Sequence, residues 1–400
     1  MRNNNTQEFI VNWAKDHGNN VITRGLIESC YDLYKYESTI PNLSKLRLPE
    51  ALLCYGCNKP VKSVHPEYLF SCTKCGSVFS KNRRLTRDLS GKVSLIIGSR
   101  TKLGHQCAIK LLDAGASVIC TTRYPDKAKA LFEGYNKKEW STRLYIYPES
   151  LDLDTDNISG TISRLCKFIE KTFGRLDILV ISAAQTIRYK EKYQYQNQYP
   201  SEAEGSEGPD GFEGTREADK AEGPGGSEEK SDSNRYNDMK FVPSGVQNSW
   251  NLELYDISQK ELEETYRINA AAPLIIIQSL IPIMSLSIER PYIINVHARE
   301  GLFDVRKSDK HIHTNMAKAS LAMLTKCLIS MGLKTNNGQR FSIHGCDPGW
   351  ISIDEYFQED RPWIVPPLDE VDGASRILYP LFRKLGSCSK TRRHYNTLTY

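Results

Sequence analysis

Four hundred residues with 40% hydrophobic content can bury one large α/β core and a small appendage, because single cores stop growing near about 250–300 residues. No stretch approaches the roughly 18 consecutive apolar residues of a membrane span, and the polar opening MRNNNTQ lacks the basic-then-apolar order of a secretory signal, so a soluble chain of the cytoplasm or nucleus is expected. The net charge of +5 conceals an imbalance: Ser201 to Asp232 holds eleven acids and three bases, which leaves the rest of the chain at +13 and able to face a nucleotide phosphate, a nucleic acid or simply water.

Residues 1–50 place Phe9, Ile10 and Trp13, then Val21, Ile22, Leu26, Ile27 and Tyr31, at helical spacing, which predicts two or three short helices. Segment 51–86 carries Cys54-x2-Cys57 and Cys72-x2-Cys75 with fourteen residues between the pairs. Two such knuckles joined by a hairpin aim four sulfurs at one point, the arrangement of a zinc ribbon, and four thiolates close the shell as a structural site does. Gly56 and Gly76 supply permissive backbone, while Tyr55, Phe70 and Phe79 are the expected small core; His65 reads as a surface residue. The alternative is four unligated core cysteines. The other seven of the eleven cysteines are scattered, mostly among apolar residues, as buried thiols of a reducing compartment are.

From residue 87 to 400 strands and helices alternate. VSLII (93–97), a helix from Gly104 to Ala114, SVICTT (117–122), a helix after Pro125, RLYIYP (143–148), a long helix to Phe173 and LDILVIS (176–182) come first. Continuous apolar strands separated by amphipathic helices predict a doubly wound parallel sheet, an α/β Rossmann fold. The pattern stops over 190–247, where a Tyr/Gln/Lys tract gives way to Glu, Gly and Ser, a composition expected to form a disordered insertion. It resumes with a helix around Leu262–Ile268, the strand YIINV (292–296), a helix from His313 to Gly332, the strand FSIHGC (341–346) and a helix over Asp369–Phe382.

VSLII runs directly into Gly98-Ser99-Arg100-Thr101-Lys102-Leu103-Gly104. A glycine turn between the first strand and first helix of such a sheet brings backbone N–H groups and the helix dipole to a pyrophosphate. This turn resembles the TGxxxGxG motif of the short-chain dehydrogenase/reductase family, with Lys102 where the middle glycine stands, and the resemblance extends over about 88–382. GSRTKLGHQ, ISAAQT, HTNMAKA, GW and PPLDEVDGA resemble a divergent branch of it. The resemblance implies that Leu103 and Ala183 line the nucleotide, that Asp152 and Leu153 hold adenine, and that Pro348 and Gly349 follow the sixth strand of the sheet at the cofactor. It also implies catalytic places for Asn269 and Lys318, and a homodimer through the helices of 258–287 and 313–332.

Physical argument favours NADP(H). An NAD site needs a carboxylate at the end of the second strand, whereas Thr122-Arg123 ends it here and Arg100 lies in the glycine turn. Arg123 as a plain surface strand end is the alternative. The family's chemistry uses a tyrosine four residues before the lysine, and Thr314 stands there; an aliphatic alcohol does not ionise near neutrality. His297 and Ala298 occupy the positions of the usual serines, and Ile181-Ser182 those of an asparagine pair. His297 is therefore a candidate acid/base, with His311 and His313 behind it. Three functions stay open: an NADP(H)-dependent oxidoreductase of unidentified substrate, a catalytically inactive nucleotide-binding module for interaction or sensing, and a nucleic-acid-associated protein using the ribbon and Lys81, Arg83, Arg84 and Arg87.

Overall fold

The computed structural model describes residues 47–183, 249, 252–303, 307–351 and 366–385. The expected helices of 1–46 and the expected disordered insertion of 190–247 lie outside the described residues. Two sheets are present among them, one of three strands and one of six.

The three-stranded sheet is β1 (Arg47–Leu53), β2 (Pro60–His65) and β3 (Tyr68–Cys72), antiparallel throughout, followed by helix α1 (Thr73–Arg83). Arg47 to Glu50, expected to be helical, belong to β1. Tyr68 rather than Phe70 enters the small core with Phe79, Cys54 and Cys75, while Phe70 stays half-buried. Gly76 lies flat against His65, and a Cβ there would overlap that ring; His65 is thus a packing residue of the hairpin.

The six-stranded sheet has the order β6-β5-β4-β7-β8-β9, all parallel: β4 is Val93–Ile97, β5 Ser117–Thr121, β6 Leu144–Ile146, β7 Ile178–Ile181, β8 Tyr292–Val296 and β9 Ser342–Cys346. β4 is hydrogen-bonded on both edges and every residue of it is buried, which is why it reads as an unbroken apolar run. The pleat sends its side chains alternately to two cores. Leu95 and Ile97 join Ile162 and Leu165 of α4 (Ile158–Phe173), whereas Ile96 joins Leu111 and Leu112 of α2 (Lys102–Asp113) on the other face.

On the α4 face the chain continues through α5 (Gln259–Tyr266), a π turn (Arg267–Ala271) and α6 (Ala272–Met284). Gln259–Met284 is long and apolar enough to cross a membrane by composition, yet Ile276, Ile277, Leu280 and Met284 are buried in the core of this domain. Helix α7 (Ile312–Met331) covers the same face; α3 (Pro125–Glu133) lies at the β5–β6 edge, and α8 (Glu370–Phe382) packs on α2. The chain builds β4, β5 and β6 outward in one direction and β7, β8 and β9 in the other. The strand order therefore reverses between β4 and β7, and the carboxyl ends of those strands open the crevice in which such sheets bind dinucleotides.

Candidate functional site

The turn after β4 is shaped by two glycines. Gly98 has φ +84° and its Cα approaches β7's extension so closely that a Cβ would fall 2.8 Å from Ala183 Cα. A Cβ on Gly104 would overlap the Gly98 carbonyl oxygen. Ala183 itself is held by its N–H to Ile97 O at 2.7 Å. Thr101 leads into α2 with no side-chain cap, so its hydroxyl does not compete for the N–H groups of the first turn. Lys102 adopts φ +48°, a region that favours glycine; this is the position where the family motif has one. Its charge bears on the Glu370 carboxyl at the start of α8, whose pKa is raised by burial and lowered in part by Lys102. Leu103 fills the space against Gly373, which has no room for a Cβ.

Beyond β5 three cations converge on one ring. Arg100 from the glycine turn, Arg123 from the strand end and Lys127 from α3 have their charged groups 5.3, 5.7 and 5.7 Å from the centroid of Tyr124. Lys127 stands in the first turn of α3, where the helix dipole disfavours a cation. Neither Tyr124 nor Lys127 stands out in the sequence; the available signal was this cation at the wrong end of a helix, beside a strand end without a carboxylate. After β6, Asp152 is half-buried and its Oδ1 accepts from Asp154 N at 3.1 Å, with Leu153 buried beside it.

At the ends of β8 and β9 the catalytic candidates separate into two groups. Asn269 sits in the π turn, its Nδ2 donating to Thr265 O at 3.0 Å; such turns interrupt helices most often at functional positions. Lys318 and Thr314 lie one turn apart on α7, 3% and 1% exposed. Lys318 Nζ is 3.4 Å from Val296 O, and burial pushes its pKa down to about 8, with Glu300 opposing. Thr314 Oγ1 is buried and has no hydrogen-bond partner among the described residues.

His297, the candidate acid/base, is enclosed. Its ring is 2% exposed, Nε2 is 2.8 Å from Thr325 Oγ1, and Gly345 is bare because the imidazole occupies the place of a Cβ. Burial, and then the charge of Lys318, push its pKa down to about 3. The enclosed imidazole packs the end of β8 against β9 and α7, and burial favours its neutral form. His313 is also buried, with Nε2 3.4 Å from Glu261 Oε1.

Asp347, Pro348 and Gly349 follow β9. Asp347 is buried, Oδ1 accepts from Gly349 N at 2.8 Å, and burial raises its carboxyl pKa against the pull of Arg376. Gly349 has φ +84°, and a Cβ there would meet Leu368 Cδ1 at 2.7 Å, Tyr55 Oη at 2.8 Å and Arg376 Nη1 at 2.9 Å.

Cys54, Cys57, Cys72 and Cys75 place their four sulfurs within 4.8 Å of one another. Backbone N–H groups of Cys72 and Cys75 point at Cys54 Sγ (3.2 Å) and Cys72 Sγ (3.4 Å), and Gly56 leaves space that a Cβ, 2.8 Å from Cys75 Cβ, would take. Soft donors converging with their own hydrogen bonds fit a tetrahedral ion such as Zn²⁺.

The family model described as short chain dehydrogenase matches residues 92–200. An uncharacterized protein of Acanthamoeba polyphaga mimivirus is 38% identical over 362 residues, covering 84% of this chain and 73% of that one. The short-chain dehydrogenase fogG of Aspergillus ruber is 34% identical over 101 residues, 24% of this chain and 26% of its own. Among solved structures, the short chain dehydrogenase from Shigella flexneri superimposes with a TM-score of 0.50 at 13% identity, covering 74% of this chain and 90% of that one, a likeness of fold. Strand order, glycine turn, family match and the fogG relative agree, and the chain belongs to the short-chain dehydrogenase family.

Proposed function

We propose that the chain is an NADP(H)-dependent oxidoreductase acting on an unidentified carbonyl or alcohol substrate, with a structural zinc in its four-cysteine ribbon. The observation that carries this reading is the convergence of Arg100, Arg123 and Lys127 on Tyr124 beside the glycine turn. Three cations next to the ribose position suit a 2′-phosphate and offer no carboxylate for the paired hydroxyls of NAD. Gly98 and Gly104 let the turn close on Ala183 and on itself, where a Cβ would clash, and a close turn of this kind leads into the helix N-terminus that suits a pyrophosphate. Bound nicotinamide would supply or accept the hydride. Asn269 lines the centre from the π turn, and Lys318 grips the ribose side. With Thr314 in place of a phenol, Lys318 Nζ, at about 8, is the group able to hold a proton for the substrate oxygen near neutrality. Titration of the protein with NADPH and NADH tests the cofactor; equal affinities would remove the NADP(H) assignment. A screen of carbonyl substrates then tests turnover, and reduction should fade as pH rises above the Lys318 pKa.

A second reading, a nucleotide-binding module with little or no turnover, is favoured by the same Thr314 and by the enclosure of His297. Bound NADPH with no oxidation across the screen would select it. The nucleic-acid reading has less in its favour: Arg83 is paired with Asp369 and Asp372, Arg84 with Glu67, and Arg87 donates to Leu381 O, while Lys81 is exposed. A homodimer through α5–α6 and α7 stays a proposal, supported by exposed Leu274, Met316 and Met323 on those helices.

A further inference from the structure

We propose that Tyr55, carried between the first two cysteines, is a positioning residue of the cofactor site: it fixes the Asp347–Trp350 turn, so that metal binding by the ribbon and binding of the nicotinamide half of NADP(H) are coupled. This rests on the cofactor reading above. Tyr55 is held at both ends. Its N–H donates to Phe70 O at 2.8 Å, inside a knuckle closed by Cys54 N to Lys59 O (2.9 Å) and Asn58 N to Cys54 O (2.7 Å). Its ring meets Phe79 edge-on at 6.4 Å. At the far end Tyr55 Oη accepts from Trp350 N at 2.9 Å and lies where a side chain on Gly349 would begin.

The place of that turn follows from the sheet. Arg123 and the cation cluster lie beyond β5, so the phosphorylated adenosine half occupies the β4–β5–β6 side of the crevice. The other nucleotide then extends toward β7, β8 and β9. Asp347 to Trp350 leave the carboxyl end of β9, and Lys318 stands against the end of β8. The turn that Tyr55 grips therefore belongs to the nicotinamide side, while the adenosine side has no contact with the ribbon through this residue.

The grip is reinforced around Tyr55. Tyr68 Oη donates to Asp372 Oδ1 at 2.6 Å, Arg83 pairs with Asp369 at 2.6 Å and Asp372 at 3.0 Å, and Leu368 is buried in the ribbon's own core. Those contacts fix α8 and the segment ahead of it, and Arg376 of α8 lies both against Gly349 and over Phe79, 6.0 Å from its ring. Because Tyr55 lies between two thiolate ligands, ligation sets its backbone. Loss of the metal leaves the knuckle to its few backbone hydrogen bonds and the Phe79 contact, and the anchor of the turn loosens. A coupling of this kind is reciprocal.

The test uses the full chain loaded with zinc, titrated with NADPH and with adenosine 2′,5′-bisphosphate, which has no nicotinamide. Tyr55→Phe keeps the ring and all four ligands. It should weaken NADPH roughly 5- to 20-fold, the scale of one hydrogen bond to a buried turn, and leave the bisphosphate within about twofold. Saturating NADPH should slow zinc transfer to a chelator in the wild type, and less so in Tyr55→Phe. Unchanged NADPH affinity in Tyr55→Phe, or equal losses for both ligands, overturns the positioning role while the cofactor reading stands. Failure of the zinc-loaded wild type to bind NADPH, with or without bisphosphate binding, overturns the cofactor reading and this inference with it.

Discussion

At the residue scale, burial decides which polar groups do chemistry and which pack. Thr314, Lys318 and His297 all sit at the ends of β8 and α7, yet Lys318 holds a displaced pKa of about 8, and His297, held at about 3, is neutral at any ordinary pH. A lysine lowered in this way binds fewer protons folded than unfolded between about 8 and its ordinary value, so stability rises with pH across that window. At pH 7 the buried ammonium costs on the order of 3 kcal/mol. Lys318→Met should therefore raise the thermal midpoint at pH 7 while weakening NADPH; a lower midpoint would mean that the ammonium is better paired than its burial suggests. His297 and His344, at about 3 and about 4, act in the acid range. The unfolded chain protonates them first, so stability present above about 6.5 is lost as pH falls. Each should remove roughly 2 kcal/mol by pH 5, read from urea midpoints at pH 7 and 5, and a flat profile would show the rings already charged. The cation cluster gives a third expectation: Arg123→Ala and Lys127→Ala should each reduce the preference for NADPH over NADH by about 1.5–3 kcal/mol, the scale of a charge-assisted contact. Retained preference in both variants would leave the 2′-phosphate to other groups.

At the scale of elements, the legible parts were those whose signal is local. The five residues of β4, β8 and the glycine turn stand out because strands buried on both faces need continuous apolar runs and a close backbone approach needs glycine. The cysteine pairs stand out for the same reason, since ligand geometry fixes their spacing. The ribbon's core did not, because Tyr68 and Phe70 stand two apart in one strand, a spacing that by itself puts both on one face, and the choice of Tyr68 depends on its packing with Phe79 and Leu368. Metal analysis of protein purified without chelator should find one zinc per chain, and Cys54→Ser or Cys72→Ser should release it; absence of metal from the wild type would leave four plain core cysteines.

At the scale of the whole molecule, the ribbon is not an independent bead on the dehydrogenase fold. Leu368, Asp372, Arg376 and the turn at Gly349 are covered by Tyr55, Tyr68, Phe79 and Arg83. A chain starting at residue 87 would expose that surface, Leu368 included, and lose the contacts of Asp372 with Arg83 and Tyr68. Uncovering one large apolar side chain alone costs roughly 1.5–3 kcal/mol, so the truncated chain should melt below the full one. An undiminished melting temperature would show that the ribbon contributes no stability to the sheet domain.

The sequence by itself determined the doubly wound class, the glycine turn, the four-cysteine knuckles and the absence of a phenol before Lys318, because each is written in neighbouring residues or a fixed short period. Only the tertiary structure decided that Lys127 joins Arg100 and Arg123, that His297 faces the core, and that Tyr55 reaches Trp350 across 295 residues of chain. Those outcomes depend on strand order and on which face of each element is buried. Both are set by packing among distant segments, of which local pattern records no more than the odd place of Lys127 in the first turn of its helix.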